Sequence, residues 1–341
     1  MVIAWFRVHA GLFLLLFSLV HISWSFAVPE INDDTLATVR ARLFNFFLNN
    51  GDCTQSNPKL LGCTGDCAAT CDASKSFTHS LNPSNFTWSD INYADQTRSS
   101  WATSTHLSRV LLMSQSFMCV RCGPALFSNS SILAQIKGAL DFWLRKDFQN
   151  PNWWWNAFGV PQLLEITSIV LGRESLTYYE LDKILAILLR ANGTYTGENL
   201  VWSLEVLIGR AVLAQDVHAL RTAFGQLWQA LFFSAPGTDG VQIDGSFFQH
   251  GPLLQSGSYG SGFSLDLIVY THIAANTSVA ITPSSLAVLE RLVLDGQQVS
   301  ELNEGHLGIE VDMLALLNRE CIRSPCMREV LHESARFHPH R

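Results

Sequence analysis

The chain has 341 residues, a net charge of −7, 48% hydrophobic residues and only 15% charged ones. That length holds one large domain or two modest ones, and the apolar fraction fills a core, which excludes wholesale disorder. The acidic balance and the lack of basic runs argue against a nucleic-acid partner, and eight cysteines in so long a chain read as a few bridges rather than a small disulfide scaffold.

Residues 1–27 read as a signal peptide. Arg7 and His9 precede the apolar run from Leu12 to Val20, and small residues follow at Ser25 and Ala27. The run is shorter than the roughly 20 residues of a membrane span, and no later segment is apolar enough to make one. The protein is therefore expected to be secreted and extracellular. Four N-glycosylation sequons fit that compartment, at Asn85, Asn129, Asn192 and Asn276. So do disulfides, read as local ones, among Cys53, Cys63, Cys67, Cys71, Cys119, Cys122, Cys321 and Cys326. Two well-spaced ligand pairs for zinc are not visible, so no metal is expected.

The period of the mature chain is helical. Leu36, Val39, Leu43, Phe46 and Phe47 share one face. Ile132, Ile136, Leu140, Trp143 and Leu144 share another. The stretch from Leu176 to Arg190 opens on a capping box, Thr177 and Glu180, and stops at Asn192-Gly193. Leu200, Leu204, Leu207, Ile208 and Ala211 repeat at helical spacing, as do Val217, Leu220, Phe224, Leu227 and Leu231. A further helix begins at Thr282-Pro283 and runs through Leu286, Leu289 and Leu292. The expectation is an all-α protein of antiparallel helical pairs, in a ring (an α/α toroid) or an irregular bundle.

Three loops carry the unusual composition. The first is Gln149-Asn-Pro-Asn-Trp-Trp-Trp-Asn156, the second Thr194-Tyr-Thr-Gly-Glu-Asn199, and the third the glycine-rich stretch from Pro236 to Gly262. Together they offer an amide (Asn199), an imidazole (His250) and a phenol (Tyr259). An amide donates to an anion, while imidazole and phenol move protons. Such a set suits removal of a proton beside a carboxylate, with the amide stabilising the enolate-like charge. A phenol of ordinary pKa about 10 requires a cationic neighbour for that task. Read singly, each residue also has a plain structural use: a hydrogen-bonded loop histidine, a packed tyrosine, a helix cap, and tryptophans in a core.

At these loops the chain resembles polysaccharide lyase family 8, which includes hyaluronate, chondroitin AC and xanthan lyases. The resemblance runs from about Trp101 to Arg323. Asn152-Trp-Trp-Trp-Asn-Ala-Phe-Gly-Val-Pro161, Thr196-Gly-Glu-Asn-Leu200 and Asp244-Gly-Ser-Phe-Phe-Gln-His250 with Tyr259 downstream match the family's segments in order. Trp101, His106 and Arg109 fit its upstream pattern, and Asn318-Arg319-Glu-Cys-Ile-Arg323-Ser-Pro is similar to its paired-arginine segment.

The resemblance implies a secreted lyase that cleaves hyaluronan, chondroitin or a related acidic polysaccharide by β-elimination. It implies that Asn199 binds the uronate carboxylate, that Tyr259 and His250 handle the C5 proton and leaving oxygen, and that Arg319 favours the phenolate. Trp153, Trp154, Asn152 and Arg323 would bind substrate, and no cofactor is implied. The chain is expected to be a monomer. Residues 28–330 would form an incomplete α/α toroid, 331–341 a flexible tail, and the family's C-terminal β-sandwich domains, which supply a catalytic glutamate, would be lacking. Glu198 stands where the family has alanine, Trp202 where it has a polar residue, and Asn318 where it has glycine. The alternatives are a glycan-binding protein without catalysis, and a glycoside hydrolase on the same fold using Glu198 and Asp244.

Overall fold

The computed structural model describes residues 34–48 and 67–297. The signal segment, the tail, Arg319, Arg323, Cys53, Cys63, Cys321 and Cys326 lie outside the described residues, as does the side chain of Cys67.

The helices are α1 (Asp34–Phe47), α2 (Cys67–Ser80), α3 (Thr105–Met118), α4 (Ser130–Lys146), α5 (Val160–Leu171), α6 (Tyr178–Leu188), α7 (Gly197–Ala214), α8 (Val217–Gln229), α9 (Ser261–Ala274) and α10 (Pro283–Arg291). The described residues hold one antiparallel ribbon, β1 (Gly240–Val241) with β2 (Phe247–Phe248), paired Gly240 to Phe248 and Val241 to Phe247. No described helix is long and apolar enough to cross a membrane.

Local chemistry sets the helix starts. Thr177 and Glu180 form the expected capping box on α6. Thr282 caps α10 with Pro283 in its first turn. Asn129 caps α4 and Asp216 caps α8, each through its side-chain oxygen.

The odd helices α3, α5, α7 and α9 pack side by side in chain order. Of the even ones, α4, α6 and α8 each back the odd helix before them. This is the doubled arc of an α/α toroid, and the fold is all-α as expected. Helix α1 lies against α5, α7 and α9. Its Arg42 donates to the carbonyls of His272 (3.3 Å), Ile273 (2.8 Å) and Ala275 (2.6 Å), placing a cation at the C-terminus of α9.

Helix α5 buries residues on all sides, among them Val160, Leu164, Ile169, Val170 and Leu171, and α9 buries Phe263, Leu267, Ile268, Val269, Tyr270 and Ile273. A helix enclosed on every side loses the polar stripe that marks it in sequence. Helical spacing in the sequence therefore marks α1, α4, α6, α7, α8 and α10 but not α5 and α9; α2 and α3 are unmarked as well.

His106 is a core residue of α3. Its Nε2 donates to the Ala139 carbonyl (2.9 Å), which leaves Nδ1 to accept from the Tyr93 hydroxyl (3.0 Å). Burial pushes its pKa down to about 4, against the pull of the Ala139 carbonyl, with Arg109 adding to the depression. Arg109 grips Asp90 with both terminal nitrogens (2.8 and 2.6 Å) and lies over the rings of Phe77 and Trp88. Trp101 donates to the Asp95 carbonyl (2.9 Å). All three upstream motif residues thus hold the scaffold.

The cysteine bridge is not local. Cys71 of α2 is joined to Cys122, 51 residues on, in the turn after α3. Cys119 is disulfide-bonded as well.

Candidate active site

The three unusual loops come together because of helix direction. An even helix intervenes between successive odd ones, so α5, α7 and α9 run the same way and their N-termini share one end of the arc. The tryptophan loop enters α5 through a π turn (Trp155–Gly159), Thr196 leads into α7, and Tyr259 lies in a π turn (Ser256–Gly260) that enters α9. Each helix also brings the positive end of its dipole to that face, which suits an anionic ligand.

In the first loop a ladder of asparagines holds the backbone. Asn156 Oδ1 accepts from Asn150 N–H (2.9 Å) and Asn156 Nδ2 donates back to Asn150 O (2.8 Å). Asn152 donates to the Arg98 carbonyl (3.0 Å) and accepts from Trp154 N–H (3.2 Å), so both ends of its amide are occupied by backbone. Gly159 permits the crowding that follows, since a Cβ there would lie 2.5 Å from the Trp155 ring and 2.7 Å from that of Trp154.

The result is an aromatic wall. Trp153 is 51% exposed and stacks on Tyr195 at 6.0 Å with rings 10° apart. Trp154 meets Trp202 edge-on at 5.8 Å, and Trp202 stands 6.2 Å from Tyr259. The wall therefore runs from an exposed indole to the candidate phenol. Tyr195 and its place in the wall were not visible in sequence; an aromatic beside the Thr196-Gly-Glu-Asn199 segment was the available signal.

His250 and Tyr259 meet directly. His250 Nε2 and the Tyr259 hydroxyl are 3.2 Å apart, with the rings edge-to-face. Asn199 lies in the first turn of α7, three residues before Trp202, and is half-buried. Its neighbour Glu198 donates its N–H to the side-chain oxygen of Gln249 (3.0 Å), the residue before His250. The amide, imidazole and phenol are thus carried by adjoining segments.

Glu198 itself is fully buried. Burial first, then the nearby Asp266 and Glu205 carboxylates, hold its carboxyl well above the usual range. Its carboxyl is sealed beneath the site and does not face a ligand. Asp244 is exposed and turns the β1–β2 hairpin, accepting from Ser246 N–H (3.0 Å) and Oγ (2.7 Å), bonds that lower its pKa. One carboxyl is sealed and the other spent on a turn, which removes the geometric basis for a hydrolase pair.

The family model "Polysaccharide lyase family 8, N terminal alpha-helical domain" matches residues 68–298. Chondroitinase-AC of Pedobacter heparinus is 26% identical over 211 residues, covering 61% of this chain and 30% of the relative. Xanthan lyase of Bacillus sp. (strain GL1) is 28% identical over 196 residues, covering 51% of this chain and 20% of the relative. Among solved structures, a chondroitinase AC lyase superposes with a TM-score of 0.67 at 23% identity, over 77% of this chain and 37% of that one. A Paenibacillus xanthan lyase does so with a TM-score of 0.67 at 20% identity, over 88% and 33%. The chain spans a third or less of the length of the two relatives it matches. With the helical arc and the ordered motifs in place, the chain belongs to polysaccharide lyase family 8, of which it carries the N-terminal α-helical domain.

Proposed function

We propose that this protein cleaves a uronic-acid-containing glycosaminoglycan, hyaluronan or chondroitin, by β-elimination. The observation that carries the reading is the contact between His250 Nε2 and the Tyr259 hydroxyl beside the Asn199 turn. Asn199, at a helix N-terminus, receives the uronate carboxylate and stabilises the charge that spreads onto it as C5 loses its proton. The Tyr259 oxygen takes that proton, and the C5–H electron pair becomes the C4–C5 double bond. The C4–oxygen bond breaks, and the departing oxygen takes up the proton from Tyr259. His250 Nε2 donates to the phenol oxygen while it acts as base. Arg319 is the cation assigned to Tyr259, and Trp153, Trp154 and Arg323 hold the chain of sugars.

Exposed Trp153, backed by half-buried Tyr195, supports a sugar platform, because an aromatic face matches the apolar face of a pyranose. Secretion as a glycoprotein is part of the same reading. It is supported by the Cys71–Cys122 bridge and by exposed sequon asparagines at Asn85, Asn192 and Asn276. Asn129 caps α4 and donates to Pro124 O and Ala125 O, so it is the least suited of the four.

Incubation with hyaluronan and with chondroitin tests the proposal. A rise in ultraviolet absorbance from unsaturated uronate ends is expected, and Tyr259→Phe should lower its rate roughly 100- to 10,000-fold with binding retained. Polysaccharide binding without that product would reassign the protein as a glycan-binding one, and saturated ends would reassign it as a hydrolase.

A further inference from the structure

Asp239 makes no contact that the proposed chemistry uses, yet it touches both the segment that leads to Asn199 and the turn that carries His250. Its Oδ2 accepts from the Thr196 hydroxyl (2.8 Å) and from Gln249 Nε2 (3.0 Å), and its Oδ1 accepts from Gly251 N–H (2.7 Å). Thr196 leads into the helix that bears Asn199. Gln249 and Gly251 flank His250 on either side.

The turn it holds is one the chain does not adopt freely. His250 has φ +61° and Gly251 φ +77°, two successive left-handed residues, the first with a Cβ. Gln249 closes the other half of the link. Its side-chain oxygen accepts from Glu198 N–H, and it reaches that position only because Gly197, at φ +56°, has no side chain. A Cβ on Gly197 would lie 2.0 Å from the Gln249 oxygen.

We infer that Asp239 is a positioning residue for the candidate active site: its carboxylate fastens the His250 turn to the Asn199 helix start and so fixes the imidazole against Tyr259. This rests on the lyase reading for its consequence in turnover, but the fastening is a property of the fold. A carboxylate suits the task because it accepts at both oxygens and donates at neither, matching three donors.

The test is Asp239→Asn in the full chain, read two ways. The amide turns one acceptor into a donor facing donors. We expect kcat to fall roughly 10- to 100-fold with KM changed less than about three-fold, as for a misplaced catalytic group. We also expect the His250 imidazole resonances, assigned by comparison with His250→Ala, to shift and broaden. Thr196→Val removes a single arm and should give the same changes at smaller size; it stands in if Asp239→Asn fails to fold. Unchanged His250 resonances in the folded variant overturn the inference, whatever the activity. If the wild type yields no unsaturated product, the lyase reading fails while the resonance comparison still decides the role of Asp239.

Discussion

At the scale of single residues, the interior is unusual for the acids it contains. Glu165 on α5, Glu198 and Glu205 on α7 and Asp266 on α9 come from three helices packed on one another. Burial holds the Glu165 carboxyl well above its ordinary range, and its Oε1 has no hydrogen-bond partner among the described residues. Glu205 is raised by burial and then by Asp266 and Glu165. An acid with a raised folded pKa supports the fold fully below its unfolded value. That support drains away as pH climbs toward the folded value, because the unfolded chain ionises first. Stability should therefore decline on the alkaline side, and Glu165→Gln should flatten that decline. Melting temperatures at pH 5 and pH 8.5 check this: the gap between the two should narrow in the variant, and an unchanged gap would mean that Glu165 is ionised in the fold. His106 works in the opposite sense, since its depressed pKa makes its contribution vanish as pH falls toward about 4.

At the scale of elements, start signals and one-sided faces account for most of what could be read in advance. The capping box on α6 is the clearest case. Glu180 Oε2 accepts from Thr177 N–H (2.6 Å) and Oγ1 (2.8 Å), and the same oxygen pairs with Lys137 of α4. Thr177→Ala loses the cap and one of those donors, and should cost about 1 kcal/mol, while Thr177→Ser stays near wild type. Urea unfolding of both variants separates the cap from general damage to α6. The hairpin was legible only in part. Its Asp244-Gly245-Ser246 turn could be seen as glycine-rich and non-periodic, but β1 and β2 are each too short for alternation to register. The π turns before α5 and α9 left no sequence signal, because their extra residue is inserted without a special residue type.

At the scale of the whole molecule, the Cys71–Cys122 bridge is a covalent long-range constraint set within the buried core. It closes a 51-residue span containing Tyr93, His106 and all of α3. Loop-closure entropy puts its contribution at about 4 kcal/mol, less whatever structure the reduced chain retains. The double variant Cys71→Ser, Cys122→Ser should lose stability of that order in guanidinium unfolding. A loss below about 1 kcal/mol would show that packing between α2 and α3 already holds the span. The sequence supplied both cysteines but not their partnership, since spacing favours near neighbours and only the folded arc brings α2 to the turn after α3.

The sequence by itself determined the helical class, the caps and the identities of the amide, imidazole and phenol, because each is written in local periodicity or in a short run of residues. It determined as well which loops are too rich in glycine and aromatics to be mere connectors. The tertiary structure decided how those loops meet. Parallel odd helices put three N-termini on one face, Gln249 and Asp239 join segments dozens of residues apart, and burial encloses Glu198 and holds its carboxyl well above the usual range. None of this is a property of neighbours along the chain. Each depends on which distant groups share a low-dielectric interior, and that is fixed only when the helices pack.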